Sequence, residues 1–65
     1  MYKKLSTREI EVLKLLSAGK RNKEIAEELA INEKTVSTYK ARLLKKLDVS
    51  NMVELINHAR NLDLY

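Results

Sequence analysis

The chain has 65 residues, no Cys, no Pro, one Gly and a formal net charge of +4. A chain of this length makes one domain and buries only about 60% of its unfolded surface, which excludes a lid, a second lobe and a deep ligand cavity. Without Cys there is no disulfide framework or thiolate metal site, and a lone His58 cannot hold a metal, so the expected setting is a reducing, cytoplasmic one with no cofactor.

Residues 1–4 read as a linker remnant or a frayed end, and residues 5–65 as the folded domain. No apolar run approaches the roughly 20 residues that span a bilayer, and no signal-peptide pattern opens the chain. Apolar residues recur at helical spacing and do not alternate, so the expected fold is all-α.

The first helix is predicted over about 7–18. Ser6 caps it, Glu9 completes a capping box, and Leu5 with Ile10 forms a hydrophobic staple. Ile10, Val12, Leu13, Leu15 and Leu16 supply its buried face, and Gly19 ends it. Asn22 is the expected cap of a short second helix, 22–29, with Ile25, Ala26 and Leu29 inward. Ala30, Ile31 and Asn32 then turn the chain, and Asn32 caps a third helix over 33–47, about 22 Å long at 1.5 Å per residue. Asp48, Val49 and Ser50 break that helix. Ser50 is the expected cap of a fourth, 51–61.

Charge is concentrated on the third helix. Lys34, Lys40, Arg42, Lys45 and Lys46 carry five positive charges with no acid between them, against +4 for the whole chain, so the remainder sums to −1. On composition alone these side chains could equally be a solubilising face. The chain before them, however, meets the requirements of a helix–turn–helix. Ala26 is small where two helices cross, and Ile25, Leu29, Ile31, Val36 and Tyr39 seal the angle between them. Ala30 departs from the pattern, because many such turns use Gly for a positive φ. A side chain there costs about 1 kcal/mol.

Four blocks make the likeness more specific: L-S-T-R-E before the first helix, G-K-R-N-K-E-I-A around the second, T-V-S-T-Y-K on the third, and K-K-L-D-V at its end. In that order, over Leu5 to about Leu64, the sequence resembles the DNA-binding domain of LuxR-type regulators, and more narrowly the output domain of NarL/FixJ-type response regulators. Arg21 stands where that family often has Ser or Thr, and Tyr39 where it often has His. The resemblance implies a compact four-helix domain, duplex DNA with two-fold related half-sites as partner, and a second copy of the chain joined through the fourth helix. It also implies an N-terminal receiver domain in the full-length protein, although a freestanding small regulator shares the same blocks.

On the third helix, Val36, Tyr39, Leu43 and Leu47 form the core stripe, with Leu44 beside it. Lys34, Ser37, Thr38 and Ala41 lie opposite and are the expected base contacts, since recognition helices present their first turns to the major groove. Lys40, Arg42, Lys45 and Lys46 flank that stripe as phosphate contacts, joined by Lys20, Arg21, Lys23 and Thr35. Ser37, Thr38 and Ala41 are small, so DNA shape is expected to share in sequence choice.

The apolar residues of the fourth helix, Met52, Val53, Leu55, Ile56, Ala59 and Leu62, cover more of its circumference than one core requires. The surplus, assigned to Met52, Val53 and Leu55, is the expected dimer interface. His58 reads as a solvated side chain, and Glu9 and Glu24 as acids that favour helix starts. No nucleophile with a base and an orienting partner is recognisable, so neither an enzyme nor a small-molecule site is expected. Two other readings stay open: promoter recognition in the manner of a sigma factor, and a helical adaptor that binds protein.

Overall fold

The computed structural model describes residues 5–61, with side chains through Arg60. Four helices follow one another: α1 (Thr7–Ser17), α2 (Asn22–Leu29), α3 (Glu33–Lys46) and α4 (Met52–Asn61). All four were predicted, with ends displaced by one residue at α1, α3 and α4. The linker reading of residues 1–4 and the share of Leu62 in the fourth helix lie outside the described residues.

Each helix starts on a local hydrogen bond that satisfies otherwise orphaned N–H groups. The capping box of α1 forms as expected: Ser6 N–H donates to Glu9 Oε1 at 2.8 Å, and Glu9 N–H donates to Ser6 Oγ at 3.1 Å. Asn32 Oδ1 accepts the Thr35 N–H at 2.7 Å and so caps α3. Two expected caps shift by one residue. Glu24, not Asn22, anchors the start of α2, its carboxylate accepting the Arg21 N–H at 2.9 Å, so Asn22 becomes the first helical residue. At α4, Asn51 Oδ1 accepts the Glu54 N–H at 2.9 Å, and Ser50 lies one position outside, donating its own N–H to Glu54 Oε1 at 2.8 Å. At α2 the acid three residues downstream selects the cap, whereas at α4 the carboxylate holds the residue before the cap.

The first three helices end alike. Lys20, Ile31 and Val49 donate their N–H groups to the carbonyls of Leu15, Ala26 and Leu44 at 3.0, 2.9 and 3.0 Å. Gly19, Ala30 and Asp48, the residues just before those donors, have φ of 87°, 57° and 55°. This is the Schellman arrangement, which needs a left-handed residue after the helix. Gly adopts that conformation freely, Asp tolerates it through its short polar side chain, and Ala pays the full steric cost. The turn between α2 and α3 therefore has the geometry expected of a Gly-bearing turn without the Gly.

The core comprises Val12, Leu13 and Leu16 of α1, Ile25 and Ala26 of α2, Val36 and Leu43 of α3, Leu47 after it, and Leu55 and Ala59 of α4. Leu15, Leu29, Tyr39, Leu44 and Met52 pack on its margin, half-buried. The α3 stripe thus faces inward as its spacing required. α4 requires a correction: Leu55 is fully buried, which removes it from any exposed patch. The inward face of α4 is Met52, Leu55 and Ala59, at helical spacing; Ile56 is half-buried, and among the described residues Val53, 69% exposed, is the large apolar side chain that stands clear.

Candidate nucleic-acid interface

With Val36 and Leu43 fixed in the core, helix periodicity leaves the opposite side of α3 in solvent. Lys34, Ser37, Thr38 and Ala41 are all exposed, as are Arg42 and Lys45 beside them. Lys20, Arg21 and Lys23, ahead of and within the first turn of α2, are exposed as well. The expected base and phosphate sets therefore reach solvent, apart from the half-buried Thr35, Lys40 and Lys46, whose surroundings differ.

Asn22, displaced from its capping role, bridges α2 to α3. Its Nδ2 donates to Ser37 Oγ at 3.2 Å, and its Oδ1 accepts Lys40 Nζ at 2.8 Å. An ammonium has three donors, so Lys40 keeps two of them and its whole charge. Thr38 Oγ1 donates to the Lys34 carbonyl at 3.2 Å, one turn back along α3. Thr35 is a correction. Its hydroxyl donates to Asn32 Oδ1 at 2.9 Å, which uses the one proton it could offer to a phosphate oxygen, an acceptor.

Lys46 is the second correction. Its Nζ donates to Glu9 Oε1 at 2.8 Å, tying the end of α3 to the start of α1. The Glu9 side chain is 3% exposed and that of Lys46 is 35%, so the carboxylate is nearly dry and depends on this partner. The Lys46 hydrogen bond, then the Ser6 N–H, hold the Glu9 carboxyl below the usual carboxylate range despite the opposing effect of burial. With its charge neutralised inside the fold, Lys46 belongs to the scaffold and not to the phosphate set.

The Arg42 guanidinium lies over the Tyr39 ring, 5.8 Å from its centroid. That contact restrains a flexible cation at the edge of the interface while leaving its donors free. His58 is half-buried instead of solvated. Among the described residues no three His, Asp or Glu side chains converge as a metal would require. A shallow groove between α1 and α2, lined by Glu11, Lys14, Leu15, Glu28 and Leu29, contains none of the expected base or phosphate contacts.

The bridging role of Asn22 and the pairing of Glu9 with Lys46 are absent from the sequence reading. They span 18 and 37 residues, beyond any local pattern. A signal for the first did exist: Glu24, three residues after Arg21, fixes the cap and releases Asn22.

Residues 3–59 match the model of the family described as bacterial regulatory proteins, luxR family. The chain belongs to that family. The luxR-family domain is 52% identical over 60 residues to the virulence-factor transcription regulator BvgA of Bordetella pertussis, covering 92% of this chain and 29% of BvgA. It is 45% identical over 56 residues to the DNA-binding transcriptional activator EvgA of Escherichia coli K12, covering 86% of this chain and 28% of EvgA. The chain therefore spans less than a third of the length of either relative. Among solved structures it is similar to the response regulator ChrA of a heme-sensing two-component system, with TM-score 0.88 and 38% identity, covering all of this chain and 32% of ChrA. It is also similar to Vibrio cholerae VqmA in a ligand–DNA complex, with TM-score 0.91 and 38% identity, covering 98% of this chain and 28% of VqmA.

Proposed function

We propose that this luxR-family domain binds duplex DNA through α3, as the output domain of a bacterial transcription regulator and more narrowly of a two-component response regulator. The observation that carries the reading is the outer face of α3, where Lys34, Arg42 and Lys45 surround the small groups of Ser37, Thr38 and Ala41 without a single acid after Glu33. Small side chains allow a helix to sit deep in the major groove, and the cations at its edges meet the phosphates that line it. Lys34, Ser37, Thr38 and Ala41 take the base edges. Lys20, Arg21, Lys23, Lys40, Arg42 and Lys45 take the phosphates.

The relatives support the wider setting. ChrA is named a response regulator and EvgA a DNA-binding activator, and each is about three times as long as this chain. That likeness supports a receiver domain N-terminal to this one in the full-length protein, and a cytoplasmic location. Among the described residues no helix is long and apolar enough to cross a membrane.

Pairing on two-fold half-sites rests on α4, where Val53 is the exposed apolar side chain and Met52 the half-buried one at its edge. A charge at Val53, as in Val53→Asp, is expected to abolish paired occupancy of a two-site operator without lowering the melting temperature. Unaltered cooperativity would discard α4 as the contact.

Titration with duplex DNA at varied salt tests the core of the proposal. Six phosphate contacts predict a slope of log K against log salt of about −5 per domain. NMR shifts should concentrate between Lys34 and Lys45 and around Lys20 to Lys23. A chain indifferent to duplex DNA in dilute buffer would instead favour the protein-binding adaptor.

A further inference from the structure

The Asn22 bridge has a polarity that can be worked out atom by atom. The Lys40 ammonium can only donate, so the Asn22 atom 2.8 Å from it is the amide oxygen. The remaining amide nitrogen can only donate, so Ser37 Oγ, 3.2 Å from it, is the acceptor. A Ser hydroxyl has one proton and two lone pairs, so accepting from Asn22 takes one lone pair and leaves the proton and the other lone pair for the opposite side. Ser37 is exposed on the outer face of α3, so that proton is available to whatever enters there. Thr38 is set the opposite way. Its proton lies on the Lys34 carbonyl at 3.2 Å, which leaves lone pairs and a methyl group facing outward.

From this the geometry points to Asn22 as a specificity-positioning residue: together with Lys40 it occupies one of the two acceptor positions of Ser37 and biases that hydroxyl toward donating to the base edge. The inference rests on the DNA-binding reading above and adds the class of base that Ser37 accepts. In the major groove, guanine and thymine offer only acceptors to a hydroxyl donor, cytosine offers a donor, and adenine offers both. Ser37 therefore favours an edge that carries an acceptor, guanine, thymine or the N7 of adenine, over cytosine. Without the bridge, a Ser hydroxyl rotates to suit either kind of edge and discriminates little.

The test is selection from random duplexes with the 65-residue chain and three variants, read column by column in the recovered motif. Ser37→Ala should flatten one column, in which the unmodified chain prefers guanine or thymine over cytosine by about fivefold, the value of one neutral hydrogen bond. Asn22→Asp is nearly isosteric and suits the first turn of a helix. Its carboxylate accepts from both Lys40 and Ser37, so it turns the Ser37 lone pairs outward and should reverse that column to cytosine over guanine and thymine. The added negative charge weakens binding to all sequences alike and leaves the column order as the readout. Lys40→Met removes the obligate donor, lets the amide turn over, and should bring the same ratio close to one.

A column flattened by Ser37→Ala but unmoved by Asn22→Asp and Lys40→Met would overturn the bridge while leaving DNA readout by α3 intact. If the unmodified chain recovers no motif, the DNA-binding proposal fails and this inference goes with it.

Discussion

Lys40 and Lys46 sit on the same helix and hold their partners at the same distance, 2.8 Å, yet the structure gives them different work. Lys40 meets a neutral amide, so its charge survives and still contributes to the field of the outer face. Lys46 meets a nearly buried carboxylate, so its charge is cancelled and serves to fasten α3 to α1. Of the five cations between Lys34 and Lys46, four thus keep a charge that no carboxylate cancels within the fold. Counting positive charge along a helix overstates a nucleic-acid surface until internal ion pairs are subtracted.

The strongest contrast should come from Lys46→Ala. Removing the ammonium strands the Glu9 carboxylate, which costs about 2 kcal/mol, below the full value for a dry pair because the Lys46 side chain is itself a third exposed. Urea unfolding should show that loss, while the salt slope of DNA binding stays as it was. A smaller slope with unchanged stability would assign Lys46 to the phosphates after all.

Acid should reveal the same pair. The folded Glu9 carboxyl lies below its ordinary value of 4.5, so its contribution is complete above that value. It is lost as pH falls through the lower folded value, because protonation then occurs more readily in the unfolded chain. Melting temperature measured on acidification should fall in that window. Glu9→Gln should be less stable at neutral pH and lack this part of the decline.

Lys40→Met and Lys45→Ala should behave as the mirror image of Lys46→Ala. Each is expected to change stability by no more than about 0.5 kcal/mol, and each to reduce the salt slope by about 0.9. Retention of the full slope by Lys40→Met would show that the bridge to Asn22 withdraws Lys40 from the phosphates.

A last contrast belongs to the turns at the two ends of α3. Ala30 and Asp48 share a left-handed backbone, with φ of 57° and 55°, but only Ala lacks a polar group to offset the strain. Ala30→Gly should raise stability by up to about 1 kcal/mol, and Asp48→Gly by less. Equal gains in thermal melts would mean that the Asp side chain gives no local relief.

Particular residues show what was legible. The capping box at Ser6 and Glu9, the stripe of Val36, Leu43 and Leu47, and the exposed row of Lys34, Ser37, Thr38 and Ala41 all follow from spacing within one turn or two. Leu55 was misplaced because a wide apolar arc cannot say which of its members points inward until a second helix is packed against it. Thr35 was misassigned because residue type gives a hydroxyl its proton but not the acceptor that takes it.

What the sequence determined by itself is the set of helices, their order, their inward stripes and the family, because hydrophobic period and capping act over three or four neighbours. Only the tertiary structure decided which cations stay unpaired and which hydroxyl keeps its proton. Those outcomes depend on groups from α1 and α2 arriving within hydrogen-bond distance of α3, and a hydrogen bond is set by atoms in space, not by separation along the chain.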